Sequence, residues 1–270
     1  MLIDVKNTLY RSLIGYAGKS INPTTAWFST VFNMSTVIRP DAISLYWDPK
    51  SSALWRKDFY PEYKANRNND AIMLNLNDLL KEHSINILKI AGNIGFRQLY
   101  LPNQECDDLI CATCLSNKSD NLVVVSADSD LTQLYKYENI SVFNPLKQII
   151  VDKPDHDVVI SKSLSGDTSD NIIGYRGIGK VTARKLALDE GKLKEFLSKV
   201  DKSIYERNRK LIDLSANEFI DTNIEYVNKI YNKPIVKLDS KGVKDIVFDL
   251  KIIGLSKLID DNRHQINRLK

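Results

Sequence analysis

The chain has 270 residues, of which 43% are hydrophobic and 27% charged, a composition that excludes a disordered or fibrous protein and is typical of one large or two ordinary globular domains. Its net charge is only +4, from 38 basic and 34 acidic residues, a total that conceals any local concentration of either sign. No stretch of about 18 apolar residues lacks a charge, and the N-terminal MLIDVKNTLY has no apolar signal region, so we expect neither a membrane span nor a secretory leader.

In chain order, short β-branched or apolar runs alternate with segments of helical length. We predict strands at 2–5, 42–47, 96–101 and 122–126, and helices at about 24–37, 71–94 and 105–116. A β-hairpin formed by 140–144 and 148–152 follows, and short helices are predicted from about residue 155 onward. This order indicates a parallel sheet covered on both faces. We therefore expect an α/β domain over 1–157 and a mostly α-helical domain over 158–270.

Three cysteines, Cys106, Cys111 and Cys114, fall in the third predicted helix. Their spacing resembles that of plant-type iron–sulfur proteins, which need a fourth cysteine that this chain lacks. We interpret them as small thiols on the packed side of the helix. Their odd number favours a reducing compartment over a disulfide framework.

Each of the four predicted parallel strands leads into carboxylates at its C-terminal end, the edge where open parallel sheets bind ligands. A single acid there is common as a helix N-cap, but four strands in succession are not. Two further aspartates in SGDTSDN, three residues apart, are predicted to point from one face of a helix. The nine acids are Asp4, Asp48, Glu105, Asp107, Asp108, Asp128, Asp130, Asp167 and Asp170.

Nine carboxylates brought together would repel one another unless cations neutralise them. Oxygen ligands without histidine or cysteine are typical of Mg²⁺ or Mn²⁺ sites, and His83, His156 and His264 all lie outside the acidic motifs. Two such ions about 4 Å apart hydrolyse phosphodiesters. The sequence therefore predicts a site for two Mg²⁺ ions, for which Mn²⁺ can substitute.

Basic segments accompany the acids. In ALWRKDFYPEYKANR, the cations Arg56, Lys57, Lys64 and Arg67 are interleaved with aromatic residues, a pattern that suits phosphates and unpaired bases but is also typical of a solvated helix with buried aromatics. In GYRGIGKVTARKL, a glycine turn before a basic helix favours a phosphate site. Setting the nine acids aside leaves 25 acids against 38 bases, a surplus that suits a polyanionic partner.

These motifs resemble those of the metal-dependent 5′-nucleases, a family that includes flap endonucleases and the 5′-nuclease domains of bacterial DNA polymerases. The matching residues are Asp4, Asp48, YPEYKANR, ECDD, SADSD and GDTSDN…GIGKVTA, which extend from residue 4 to residue 183. Within the family, ALWRKDFYPEYKANR, SADSDLTQLYKY and IIGLSKL are most similar to the ribonucleases H of T-even phages. The glycine turn GIGKVTA follows the general family pattern more fully than theirs.

The resemblance implies a PIN-like α/β domain with a Rossmann-like parallel sheet, a helical arch over about 49–95 and a helix–three-turn–helix motif over about 166–190. It implies one metal ion among Asp48, Glu105, Asp107 and Asp108, and a second among Asp130, Asp167 and Asp170. Asp128 would lie between the two ions, and Asp4 would act through water.

The resemblance also assigns roles to the basic segments. Lys64 and Arg67 would contact the scissile phosphate, which together with Asp128 makes them the expected catalytic residues. Tyr63 would lie near the 5′ nucleotides. The nucleic-acid contacts that we expect are Arg56, Lys57, Tyr63, Lys64, Arg67, Gly177, Ile178, Gly179, Lys180, Thr182 and Arg184.

The implied activity is that of a Mg²⁺-dependent 5′-3′ exonuclease and flap endonuclease with ribonuclease H activity, which removes RNA primers and flaps during DNA replication. Its partners would be branched or nicked duplex DNA, RNA–DNA hybrid with a 5′ end, a sliding clamp and a single-stranded-DNA-binding protein, with K⁺ at the glycine turn. We expect a monomer in the cytoplasm, that of the host cell if a phage encodes it.

Two alternatives stay open at this point. Asp128-Ser129-Asp130-Leu131-Thr132 also fits the nucleophile motif of haloacid-dehalogenase-type phosphatases, and GDTSD at 166–170 fits their later acidic motif, although Asp4, Asp48 and ECDD would then have no role. The chain could instead be a catalytically inactive protein that binds DNA structures, although no acid of the set is missing.

Overall fold

The computed structural model describes residues 1–49, 54–67 and 71–269, and its centre is a six-stranded sheet. The strands in chain order are β1 Leu2–Asp4, β2 Ser44–Tyr46, β3 Arg97–Leu99, β4 Leu122–Val125, β5 Ile140–Asn144 and β6 Ile149–Ile150. Across the sheet their order is β3-β2-β1-β4-β5-β6, and every neighbouring pair is parallel except β5 and β6. The four predicted parallel strands and the predicted hairpin are confirmed.

Helices cover the sheet and form the C-terminal part of the chain. They are α1 Val5–Gly15, α2 Pro23–Ile38, α3 Trp55–Phe59, α4 Ala71–Ala91, α5 Cys106–Ser116, α6 Val158–Ser165, α7 Lys180–Ala187, α8 Glu190–Lys199, α9 Lys202–Ile212, α10 Ile220–Tyr231, α11 Ser240–Asp249, α12 Leu255–Asp261 and α13 Arg263–Ile266. The three predicted helices are α2, α4 and α5. Helix α1 was not predicted, although its buried Val5, Leu9 and Leu13 recur at helical spacing.

The side chains of each central strand alternate between two cores. Ile3 packs with α1, α2 and α4, whereas its neighbour Leu2 packs with α5 and α10. Leu45 and Tyr46 divide between the same two cores. Both faces are buried, as expected of a parallel sheet with helices on each side. The three cysteines are free and buried on α5, as predicted.

The C-terminal helices return to the sheet domain. Helix α10 packs on α5, while α11, α12 and α13 pack on α2 and α4 and bury side chains such as Val243 and Leu255 in the same core as Trp27. Helix α6 begins at Val158, next to the predicted division at 157/158, and that division stays a prediction. None of the described helices combines the length and the apolar character that a membrane-spanning helix needs.

Residues 166–171 of the acidic segment SGDTSDN are not helical, so the prediction of one helix face for its two aspartates is wrong. Strands β7 Gly166–Asp167 and β8 Ile172–Ile173 form a small antiparallel hairpin. Asp167 lies in β7 and Asp170 in the connecting turn. Gly166 has φ +76°, and a Cβ there would lie 2.4 Å from the carbonyl oxygen of Ile172, so this tight crossing requires glycine.

The predicted arch over 49–95 corresponds in part to α3, the turns at 61–66 and α4. Residues 50–53 and 68–70 of that range lie outside the described residues. The C-terminal half of α4 belongs to the core, where Ile87 and Ile90 are fully buried. The stretch 54–67 lies against the edge of the sheet at which β1, β2 and β4 end.

Candidate active site

The acids at the strand ends cap the helices that follow, and they also lie close together at one edge of the sheet. Asp4 Oδ1 accepts a hydrogen bond from the backbone N–H of Asn7 at 3.0 Å, and Asp128 Oδ1 accepts one from Asp130 N–H at 2.9 Å. Glu105 and Asp108 form a reciprocal capping box at the start of α5. An acid at the C-terminal end of a parallel strand can therefore both cap the next helix and contribute to the site. Its position at that end places it at the edge of the sheet where ligands bind.

Most of the predicted acids share one cavity of about 180 Å³ at this edge. Lys64 and Arg67 line the same cavity. Opposite charges thus meet in one place, as the sequence predicts. The six acids that line it are Glu105, Asp107, Asp128, Asp130, Asp167 and Asp170.

In one group of acids, few positive charges of the chain offset the negative charge of the carboxylates. Burial, and then the neighbouring Asp48 carboxylate, raise the pKa of Asp4 to about 7. Burial and the carboxylates of Asp128, Asp4 and Asp48 raise the pKa of Asp107 well above its usual value. Ligand atoms of Asp4, Asp107 and the Cys106 thiol all lie within 4.8 Å of one another. Crowded carboxylates of this kind favour a hard divalent cation.

A second group is neutralised by the stretch 54–67. Lys64 Nζ donates to Glu105 Oε1 and lies 3.6 Å from Asp170 Oδ2, while Arg67 Nη2 is 3.2 Å from Asp170 Oδ1. The Tyr63 hydroxyl contacts both Glu105 and Asp170 at 2.9 Å. Burial would raise the pKa of Glu105, but Lys64 and Arg56 outweigh it and lower that pKa to about 2. Glu105 is therefore charged at neutral pH.

A further cation, which was not among the predicted residues, lies between two acids of the cavity. Lys162 Nζ, on α6, donates to Asp130 Oδ1 and, at 2.6 Å, to Asp167 Oδ2. Burial raises the pKa of Asp130 to about 6 against the opposing effect of Lys162. For Asp167, hydrogen bonds from Lys162 and Ser169 outweigh burial and lower the pKa to about 2. The sequence did contain a signal for this contact, because Lys162 is a basic residue in the last turn of the helix that precedes GDTSDN.

The predicted roles of Asp108 and Arg56 need correction. Arg56 donates to both carboxylate oxygens of Asp108 at 2.7 Å, and the two side chains are 3% and 0% exposed. Arg56 also donates to Glu105 and to the Leu211 carbonyl. Because the oxygens of Asp108 are occupied and Arg56 is enclosed, we withdraw Asp108 as a metal ligand and Arg56 as a nucleic-acid contact.

Tyr63 also departs from its predicted role. Only 3% of the residue is exposed, and its hydroxyl lies between two carboxylates, so its ring presents no face to a base. We withdraw it as a nucleic-acid contact. Lys57 is half-buried on α3 and Arg67 is exposed, and both stay predictions as nucleic-acid contacts.

The remaining metal assignments also stay predictions. Asp48 lies beside the uncompensated acids, where it accepts a hydrogen bond from the Cys106 backbone N–H at 2.9 Å and faces Lys6 Nζ at 3.4 Å. The predicted division of the acids between two ions is likewise untested.

The glycine turn lies at the N-terminus of α7, as predicted. Gly177 has φ +82°, and Gly179 is the N-cap residue. Lys180 and Thr182 are exposed, and Ile178 packs partly against the small core beneath. Arg184 is ion-paired with Asp155, which holds the pKa of that carboxyl well below its usual value. The turn follows the β7–β8 hairpin and not a helix.

Sequence comparisons agree on one family. Residues 1–162 match the family described as the 5′-3′ exonuclease N-terminal resolvase-like domain. A 5′-3′ exonuclease of Aquifex aeolicus is 26% identical over 265 residues, which cover 90% of this chain and 85% of that protein. The thermostable DNA polymerase I of Thermus caldophilus is 26% identical over 229 residues, 78% of this chain but only 26% of the polymerase. The chain thus spans about a quarter of the length of such polymerases.

Among solved structures, the D15 protein of bacteriophage T5, crystallised with metal ions, has a TM-score of 0.68. It is 18% identical and covers 85% of this chain and 98% of its own. At this level of identity, the likeness concerns the fold. It confirms the predicted PIN-like α/β architecture followed by a helical part.

Proposed function

Because this chain belongs to the family of 5′-3′ exonucleases with a resolvase-like N-terminal domain, we propose that it hydrolyses phosphodiester bonds near the 5′ end of DNA or RNA strands on duplex DNA. The observation that carries the proposal is the single cavity at which carboxylates from the sheet edge and from the β7–β8 hairpin meet Lys64 and Arg67. Such a cavity suits cations together with a phosphate. The phosphatase alternative is overturned by the family match.

The donor set fits divalent cations of the Mg²⁺ type, with Mn²⁺ as a substitute. The donors are carboxylate oxygens, and the raised pKa values of Asp4 and Asp107 reflect negative charge that the described part of the chain leaves uncompensated. Asp4, Asp48, Asp107 and Asp128 would hold one ion. Asp130, Asp167 and Asp170, with Glu105 beside them, would hold the other. Bound ions would lower the pKa of the attacking water and stabilise charge on the leaving oxygen.

The residues of the chain would orient the substrate. Lys64 and Arg67 face the cavity from one side and would bind the scissile phosphate. Both are now paired with Glu105 or Asp170, so a phosphate would compete for cations that are already in place. Tyr63 would keep Glu105 and Asp170 in position, because its hydroxyl contacts both.

The glycine turn would bind the backbone of the duplex, with K⁺ beside it. Its exposed N-terminal backbone and Lys180 suit a phosphate, and the basic surplus of the chain suits a polyanion. The substrates would be 5′ flaps, nicked duplexes and RNA primers in DNA replication. A sliding clamp and a single-stranded-DNA-binding protein would be partners of a monomer in the cytoplasm.

Two substitutions test the proposal. Asp128→Asn and Asp167→Asn should lower the single-turnover cleavage rate of a labelled 5′-flap substrate in Mg²⁺ by about 10³-fold or more, because each removes a charged ligand. DNA affinity measured in Ca²⁺ should change by less than about threefold.

The matched control is Asp152→Asn, an exposed aspartate outside the cavity, which should cleave like the wild type. Normal turnover by either site variant would overturn the site assignment. A wild-type protein that binds the flap but leaves it intact would instead support the inactive DNA-binding alternative.

A further inference from the structure

Two chain segments that carry the charged groups of the cavity are joined side by side. The backbone N–H of Lys64 donates to the carbonyl of Asp170 at 2.9 Å, which links the stretch 54–67 to the turn of the β7–β8 hairpin. One segment holds Lys64 and Arg67, and the other holds Asp167 and Asp170. The distance between phosphate-binding cations and metal-binding acids therefore depends on this junction.

Two asparagines reinforce the junction from opposite sides. Asn66 Nδ2 donates to the carbonyl of Thr168 at 2.7 Å. In return, Asn171 Nδ2 donates to the carbonyl of Glu62 at 2.8 Å. Each amide thus crosses from its own segment to the backbone of the other. We call Asn66 and Asn171 the asparagine clasp.

The backbone at the clasp needs such support. Lys64 has φ +57° and Asn171 has φ +58°, a left-handed conformation that few residues other than glycine adopt. Asparagine tolerates it well and lysine much less so. Lys64 keeps this conformation while its N–H is bonded to Asp170 and its Nζ reaches Glu105. Releasing the two segments would remove what holds Lys64 in this orientation.

We infer that Asn66 and Asn171 are positioning residues that fix Lys64 and Arg67 relative to the acids of the hairpin turn. They touch neither substrate nor metal in this role; they act through the backbone of the two segments. The inference rests on the proposed function, because it explains how a cleavage site keeps its cations aligned before DNA arrives. Small displacements of such groups have large effects on rate.

The test uses Asn66→Ala and Asn171→Gly. Glycine accepts the left-handed backbone at 171, so that variant removes the amide without adding strain. The matched control is Asn139→Ala. Asn139 Nδ2 also donates to backbone carbonyls, those of Asn117 and Asp120, but at the opposite edge of the sheet.

Hydrogen–deuterium exchange of the metal-free protein gives a readout that does not require activity. Both clasp variants should exchange the amides of residues 62–66 about tenfold faster, because local opening becomes easier, and the control variant should not. In Mg²⁺, the clasp variants should cleave a 5′-flap substrate about tenfold more slowly in single turnover, with affinity in Ca²⁺ changed by less than about twofold.

A double-mutant comparison separates positioning from general structure. In a Lys64→Ala/Arg67→Ala background, adding Asn171→Gly should slow cleavage by less than about twofold, because the groups that the clasp aligns are absent. An undiminished further loss, or an unchanged exchange rate in either clasp variant, would overturn the inference. If the wild type does not cleave DNA, the proposed function fails, and the exchange experiment alone decides whether the clasp holds Lys64.

Discussion

At the scale of single residues, the acids of the site differ in what neutralises them. Glu105 and Asp170 have Lys64 and Arg67, whereas Asp4 and Asp107 have other carboxylates as their nearest charged neighbours. Asp108 differs from all of these, since its carboxylate is ion-paired with Arg56 inside the protein. Similar residues in one motif therefore serve as ligand candidates, anchors and counter-charges.

The buried Arg56–Asp108 pair should be critical for stability. Arg56→Met leaves the carboxylate of Asp108 buried and unpaired, so we expect the free energy of unfolding in urea to fall by about 3 to 5 kcal/mol. Arg67→Met is the matched control. That arginine is half-exposed on the same stretch of chain, and its loss should cost less than about 1 kcal/mol. Equal losses would contradict the anchoring role.

The buried acids whose pKa values are raised predict an unusual pH dependence. The pKa of Asp4 is raised to about 7 and that of Asp130 to about 6, so the folded state binds more protons than the unfolded state between about pH 4 and pH 7. Stability of the metal-free protein should therefore fall as the pH rises through that window, by up to about 7 kcal/mol. The lowered pKa values of Glu105 and Asp167 act only at lower pH, where their stabilisation is lost toward about pH 2.

Urea unfolding in EDTA from pH 4 to pH 8 checks this expectation. Adding Mg²⁺ at pH 8 should restore most of the lost stability, because a ligand that binds only the folded state stabilises it. A flat profile in EDTA would contradict the raised pKa values of Asp4 and Asp130.

At the scale of secondary-structure elements, the β7–β8 hairpin matters most. It carries Asp167 and Asp170, and its base is closed by the close contact of Gly166 with Gly174 and the carbonyl of Ile172. The two hydrogen bonds of the asparagine clasp also join it to the stretch 54–67. A helix in the same place would have pointed its two aspartates along one face, without a turn that reaches the stretch 54–67.

Gly166 and Gly177 have similar left-handed φ angles and make a matched pair for comparison. A Cβ on Gly166 would lie 2.5 Å from Gly174 N, so we expect Gly166→Ala to lower the free energy of unfolding by about 3 kcal/mol or more and to impair cleavage. At Gly177 no atom of the described residues beyond its chain neighbours lies within 4 Å of such a Cβ, so Gly177→Ala should cost only the left-handed strain of about 1 kcal/mol. Urea titrations compare the two, and similar losses would contradict the crowding argument.

At the scale of the whole molecule, the C-terminal helices complete the core of the sheet domain. Leu255 of α12 is fully buried in the same core as Trp27 and Ile87. This packing couples the two predicted domains mechanically, since unfolding α11–α13 would expose one face of the sheet domain. The cavity of the candidate active site is likewise lined by residues from both parts of the chain.

We therefore expect one cooperative unfolding transition for the chain. Leu255→Ala should lower its free energy of unfolding by about 2 to 5 kcal/mol, and amides of β1 and α12 should lose protection together. Ile253→Ala, at a residue 91% exposed, should change it by less than about 0.5 kcal/mol. Separate transitions for the sheet domain and the C-terminal helices would contradict the coupling.

Much of this architecture was predictable because local patterns govern it. Strand ends are marked by a switch from β-branched residues to acids, and parallel strands place their ends at one edge. This reasoning predicted the sheet, its hairpin and the convergence of acids on one cavity. It failed for SGDTSDN, where the i, i+3 spacing predicts a helix although the glycine at 166 and the turn residues favour a hairpin.

The sequence by itself determined the chemistry of the site, because residue types and their order along parallel strands limit what can gather at one edge. Only the tertiary structure decided which charges meet. Arg56 faces Asp108 inside the protein, Lys162 lies between Asp130 and Asp167, and Tyr63 lies beneath the surface. Charge pairing acts through space between segments far apart in the chain, such as Arg67 and Asp170, which are 103 residues apart, and no local pattern along the chain records such distances.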